Sequence, residues 1–315
     1  MKNISSRYEL GFFVCMFVVI FNFACEGKRP EDASIGSTKV EIVCTTGMVA
    51  DLAKKIGGSR VNVTGLMGPG VDPHYYKASQ GDLKKLERAR LVLYNGLFLE
   101  GKMESLFEKF GQNKTVVAVT SHLPKDRLLQ PAEFEDNFDP HVWFDVSLWL
   151  ETVDVVVESL INVDADGSDV YRANGDLYVN ELQILHDWVV DELSKIPSNR
   201  RILVTAHDAF GYFGRAYDIE VVGLQGISTV AEYGVNDVTQ LVDLIVNRKI
   251  PAMFVESSVP ERSIKAVQQG CIDRGHSVII GGTLYSDAMG SVGSNADTYV
   301  GMVKENVRTI VSALK

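Results

Sequence analysis

SDVYRANGDLYVNELQILHDWVVDELSKI, residues Ser168–Ile196, decides how this chain is laid out. The stretch contains no proline, and its one glycine, Gly175, comes early. Val170, Leu177, Leu182, Leu185, Trp188, Val189 and Leu193 fall near helical spacing. At 1.5 Å per residue, ~27 helical residues span about 40 Å, enough to run the length of a two-domain molecule. Pro197-Ser198-Asn199 ends the run. On both sides of it, short apolar runs alternate with amphipathic ones, so the stretch predicts a helical spine between two similar halves.

Upstream, Lys39–Cys44 alternates like a strand, Met48–Ile56 reads as a helix stopped by Gly57-Gly58, and Val61–Leu66 is a second strand. Ser79-Gln-Gly-Asp82 resembles a capping box before a helix over Leu83–Ala89. Strands at Leu91–Tyr94 and Thr115–Val119 enclose a helix around Lys102–Phe110. Downstream, strands are expected at Arg201–Ala206, Ile219–Val222, Ala252–Val255 and His276–Ile280. The helices there are expected at Asp208–Tyr217, Asp237–Arg248, Ile264–Arg274 and Asp297–Leu314. Strands alternating with helices imply right-handed crossovers and a mostly parallel sheet. The fold class is therefore α/β: two lobes, each a roughly four-stranded sheet flanked by helices, joined by one long backbone helix. The boundaries are 39–165 for the first lobe, 166–198 for the linking helix and 199–315 for the second lobe.

The chain has 315 residues, 46% hydrophobic and 23% charged, which is ordinary for a globular protein of about two domains. Its net charge of −10 and lack of a basic stripe argue against a nucleic-acid partner. Residues 1–24 read as a signal peptide, with Lys2 and Arg7 ahead of an apolar run over Gly11–Ala24. That run, about 14 residues, is short for a membrane span. Asn22-Phe23-Ala24-Cys25 resembles a lipoprotein cleavage site, although Asn22 stands where a Leu-like residue is usual. Cys25 would then carry the lipid, and 25–38 would be a tether holding a periplasmic protein to a membrane. Cys44 and Cys271, one in each half, have no zinc-type spacing and read as buried free thiols.

The chemistry gathers at a repeated tripeptide. Phe138-Asp139-Pro140-His141-Val142-Trp143-Phe144-Asp145 has an earlier counterpart in Val71-Asp72-Pro73-His74-Tyr75-Tyr76. Proline fixes its own φ and pushes the preceding Asp towards an extended conformation, so each His is presented from a stiff loop. Ser147 is the expected cap of the helix that follows His141. In open α/β sheets ligands bind beyond the carboxyl ends of strands. His74 follows the second strand, His207 follows Arg201–Ala206 directly, and Asp287 lies beyond the last strand in a Gly-rich loop. With His141 they make three imidazoles and a carboxylate, a donor set suited to zinc or manganese. Any one of these histidines alone fits a capping or core role equally well; the joint pattern carries the reading. Glu256, ending a strand on the same rim, would orient a ligand His or form a salt bridge. His122, His186 and His276 read as structural or surface residues.

At these motifs the chain resembles the metal-binding receptors of bacterial ABC importers, in the cluster with a long rigid interdomain helix. Gly65-Leu-Met-Gly-Pro-Gly-Val-Asp-Pro-His74, the segment 138–145, Thr205-Ala-His-Asp-Ala-Phe-Gly-Tyr-Phe213, Phe254-Val-Glu-Ser-Ser258 and Ser286-Asp-Ala-Met-Gly290 carry the resemblance, which covers nearly the whole chain after the leader. It implies metal ligands at His74, His141, His207 and Asp287, one Zn2+ or Mn2+ per chain carried as cargo, and no enzymatic activity. It also implies a monomer that delivers metal to a membrane permease driven by a cytoplasmic ATPase. The segment Ser121–Asn137 lacks the His-rich loop of many zinc receptors, and His207 stands where manganese receptors often have Glu. Three nitrogens favour zinc over manganese in intrinsic affinity, so both metals are expected to bind, zinc more tightly. Two other classes compete. A metallohydrolase would need an open metal position and a base, for which Asp208 and Glu256 are candidates, but no HExxH motif is present. A surface adhesin would use the metal structurally.

Overall fold

Val40, Ile42, Val43 and Cys44 are all buried, with Glu41 the exposed exception, the pattern of a strand covered on both faces. This strand opens a computed structural model that describes residues 39–131, 134 and 137–315. The expected signal peptide, tether and Cys25 lie outside the described residues. The first half runs β1 (Val40–Cys44), α1 (Gly47–Gly57), β2 (Val61–Gly65), α2 (Gln80–Arg88), β3 (Leu91–Tyr94), α3 (Glu104–Gly111) and β4 (Thr115–Ala118). Three helices follow: α4 (Val146–Trp149), α5 (Thr152–Val163) and α6 (Ser168–Leu193). The second half runs β5 (Ile202–His207), α7 (Gly211–Tyr217), β6 (Glu220–Gln225), α8 (Val235–Arg248), β7 (Ala252–Glu256), α9 (Arg262–Asp273), β8 (Ile279–Leu284) and α10 (Tyr299–Leu314).

The first sheet has order β2-β1-β3-β4, and its pairings are parallel. In the second half the four strands form two parallel pairs, β5-β6 and β7-β8, with β5 packed beside β7. At the end of that seam the N–H groups of Ala206 and His207 both donate to the Glu256 carboxylate instead of to a strand carbonyl. The capping box at α2 is formed in both directions, Asp82 N to Ser79 Oγ and Ser79 N to Asp82 Oδ2.

Three local expectations need correction. Asp145, not Ser147, caps α4: its carboxylate accepts from Leu148 N, and Ser147 Oγ donates to the same oxygen at 2.6 Å. The charged acceptor outcompetes the hydroxyl, and the helix starts earlier than the apolar pattern suggests. The last strand is Ile279–Leu284 and not His276–Ile280, because Gly281-Gly282 belongs to the strand and not to a loop. A Cβ at Gly281 would lie 2.6 Å from Ala313 Cβ and 2.8 Å from the Phe254 ring, so glycine is what lets α10 press onto the sheet there. Along α6 the buried stripe is Tyr171, Gly175, Tyr178, Leu182, Leu185, Val189 and Leu193. Val170 and Leu177 point outward, Leu177 with 68% of its surface exposed. The inward spacing runs through Gly175, where a Cβ would stand 2.8 Å from Val157 of α5, and through Tyr171, whose hydroxyl donates to Asp164 at 2.6 Å.

At 26 residues α6 is about 39 Å long. It packs on α1, α4 and α5 of the first half and on α7 and α10 of the second. One apolar core continues across the join, from β1 and α1 through Trp143 and Trp149 to Phe210, Tyr299 and Leu314. Each fully buried Leu or Val along α6 contributes roughly 2 kcal/mol. Cys44 and Cys271 are both buried and unpaired. Among the described residues no helix is long and apolar enough to cross a membrane.

Candidate metal centre

Each of the two Asp-Pro-His tripeptides closes into the same small turn. Asp72 Oδ1 accepts from His74 N, and Asp139 Oδ1 accepts from His141 N, both at 2.9 Å. An Asp side chain bonded to the backbone two residues on is a standard turn device, and here it aims the imidazole. Asp139 does more: its Oδ1 also lies 2.8 Å from His141 Nδ1. That fixes the ring's orientation and leaves Nε2 as the outward donor atom. The loop's Asp residues drew no functional expectation from sequence; the Asp-x-His spacing was the available signal.

His207 is the last residue of β5 and is fully buried. Its N–H goes to Glu256 Oε1 at 2.9 Å, and its Nδ1 stands 2.5 Å from Glu256 Oε2, though without the alignment of a hydrogen bond. Glu256 thus backs His207 as Asp139 backs His141. Asp287 follows β8 in a segment pinned by Trp143 Nε1, which donates to the Ser286 carbonyl at 3.1 Å. The other three histidines lie elsewhere: His122 is exposed, His186 faces the Tyr217 hydroxyl at 3.3 Å, and His276 faces the Ile250 carbonyl at 2.9 Å.

The structure brings His74, His141, His207 and Asp287 to one buried point, with one donor atom from each within 4.8 Å of the others. The separations have a simple meaning. Four donors about 2.0–2.2 Å from a zinc-like ion at tetrahedral angles stand roughly 3.3–3.6 Å from one another. The two Nε2 atoms of His74 and His141 are 3.3 Å apart. His141 Nε2 is 3.4 Å from Asp287 Oδ1, and His207 Nε2 is 3.4 Å from Asp287 Oδ2. His74 Nε2 to Asp287 Oδ2 is longer, at 3.8 Å. The Asp287 oxygens therefore face different imidazoles, which makes room for either one or two carboxylate bonds to a central ion.

His207 Nε2 and both Asp287 oxygens are buried without a protein hydrogen bond. Such atoms cost about 1–3 kcal/mol each unless something satisfies them, and a divalent cation at the centre would satisfy all three. The electrostatics point the same way. Burial opposes protonation of His141, but Asp139 and Asp287 outweigh it and raise its pKa to about 9. Burial likewise opposes a charge on His207, yet Glu256 and Asp287 push its pKa well above the ordinary imidazole value. His74 has no carboxylate behind its ring, and burial lowers its pKa to about 3 against the pull of Asp287. Asp287 is held well below the usual carboxylate range, the neighbouring His207 and His141 overcoming the cost of burial. The frame is built for positive charge at its centre.

Known proteins share this framework. The manganese-binding lipoprotein MntA of Bacillus subtilis is 49% identical over 302 residues, which cover 95% of this chain and 98% of the relative. The zinc-binding protein TroA of Treponema pallidum is 48% identical over 273 residues, covering 87% of this chain and 88% of the relative. The solved structure of the periplasmic zinc-binding protein TroA matches with a TM-score of 0.85 and 47% identity, over 88% of this chain and 99% of that one. Its two α/β lobes and linking helix are the architecture described above. The family described as zinc-uptake complex component A, periplasmic, matches residues 42–313, and the chain belongs to that family.

Proposed function

We propose that this protein is the extracytoplasmic receptor of an ABC importer for a divalent transition metal. His74, His141, His207 and Asp287 hold the cargo, with Asp139 and Glu256 orienting two of the rings. The observation that carries the reading is four buried side chains with donor atoms within 4.8 Å of one another, three of the separations at the 3.3–3.4 Å of a tetrahedral ion, with His207 Nε2 and both Asp287 oxygens otherwise unpaired. Relatives named for manganese and for zinc support a metal cargo. Three imidazoles and one carboxylate bind zinc more tightly than manganese, and both bind. The protein works as a monomer, its two lobes holding between them one ion that is passed to a permease coupled to an ATPase. Residues 1–24 direct export, Cys25 takes the lipid, and 25–38 form the tether; relatives named as lipoproteins support that location. A hydrolase reading lacks a base at Glu256, whose carboxylate is committed to Ala206, His207 and the imidazole.

Elemental analysis of the purified chain, then zinc–manganese competition calorimetry on the stripped form, tests this. One metal per chain is expected, lost in His74→Ala and His207→Ala. No bound metal, and no heat on adding either ion, would end the receptor reading.

A further inference from the structure

The two Asp-Pro-His loops look alike in sequence but are anchored unequally. The His141 loop is bolted to the second half. The Tyr212 hydroxyl donates to the Asp139 carbonyl at 2.8 Å, Trp143 Nε1 donates to the Ser286 carbonyl, and the Tyr299 hydroxyl donates to the Trp143 carbonyl at 2.7 Å. The His74 loop is hydrogen-bonded to the second half through Asp72, whose Oδ2 accepts from Thr229 Oγ1 at 2.7 Å. The same carboxylate's Oδ1 holds the His74 N–H, so a hydroxyl in the second half is one carboxylate away from a ligand's backbone. Thr229 is only 5% exposed, and its loop is stapled by Gln225 Nε2, which donates to the carbonyls of Thr229 and Ala231.

Solvent approaches the site along this same seam. A cavity of about 410 Å³ reaches His74 between Phe98 and Leu99 on one side and Ile227 and Val230 on the other. His74 is 4% exposed, whereas His141 and His207 have no exposure and Asp287 has 1%. Asp287 borders a smaller cavity, but the residue before it is pinned by Trp143 and by the Ser258 hydroxyl at 2.9 Å. The weakly held ligand is thus the one nearest solvent.

We infer that the Asp72–Thr229 hydrogen bond is a latch: it holds the His74 loop against the second lobe, and the bound cation leaves past His74 when that bond opens. Thr229 is a positioning residue, acting on the metal through Asp72 and His74. The inference rests on the receptor reading, and one experiment separates the two. The protein is loaded with Co2+, whose visible absorption reports the ligand set, and release is timed after mixing with excess EDTA. Thr229→Val keeps the shape of the side chain and removes the donor. It is expected to release Co2+ roughly ten- to hundredfold faster, the scale of one hydrogen bond to a charged group. Thr229→Ser should restore the wild-type rate, and all three proteins should share one Co2+ spectrum. A Thr229→Val rate equal to wild type overturns the latch while the metal site stands. A changed spectrum also overturns it, because Thr229 would then shape the coordination and not its opening. Wild-type protein that gives no Co2+ band removes the site and the latch together.

Discussion

Asp139 and Glu256 place negative charge behind two of the three imidazoles, and this has a consequence in pH. Metal takes only neutral imidazole, so in the proposed site binding at neutral pH would expel the protons that neighbouring carboxylates hold on His141 and His207. His74, with its lowered pKa, is already neutral there. Calorimetry in buffers of different ionisation enthalpy should therefore show proton release on Zn2+ binding, and affinity should climb as pH rises towards about 9. The stripped protein should behave oppositely. A raised folded-state pKa gives stability that is complete below the unfolded value of about 6.5 and lost as pH rises through the folded one. Its urea midpoint should thus fall between about pH 6.5 and 9, while metal binding tightens. A midpoint that rose over that window would contradict the charge assignment of His141. The four converging side chains were legible because three His and an Asp each follow a strand or a stiff Asp-Pro step. The work of Asp139 and Asp72 was not, because only the fold decides which groups reach each carboxylate: His141 N and Nδ1 both meet Asp139 Oδ1, while the second oxygen of Asp72 meets Thr229.

At the scale of elements, α6 separates what periodicity predicts from what packing decides. The helix itself was readable from its length and its lack of breakers. Its inward face was misread over the first three turns, where apolar Val170 and Leu177 look outward while Gly175 and two tyrosines look in. A glycine that admits a neighbouring helix has no signature in a hydrophobic pattern, and the same holds for Gly281 under α10. Two substitutions weigh the difference. Leu185→Ala, on the buried stripe, should cost about 2–5 kcal/mol in urea unfolding. Leu177→Ser, one face over, should change stability by no more than about 0.5 kcal/mol. Equal losses would mean that α6 is seated in another rotation about its axis.

For the whole molecule, the continuous core beneath both halves and the long helix backing them argue against a wide hinge. Small-angle scattering should give the same radius of gyration with and without Zn2+, with changes confined to hydrogen exchange in the His74 loop. A clear contraction on loading would show a hinge that α6 does not restrain. The alternation of strands and helices made both lobes readable. The arrangement of the second half as two parallel pairs was not, since alternation along the chain does not say which strands share a ladder. The spread of the four donors along the chain also bears on biogenesis. They stand at positions 74, 141, 207 and 287, on four segments that meet only in the finished tertiary structure. A nascent or clipped polypeptide ending before β8 lacks the carboxylate altogether, and one with its halves undocked offers at most two imidazoles from a side. The complete donor set therefore exists only once the last strand has docked, and an unfinished chain presents no more than part of it.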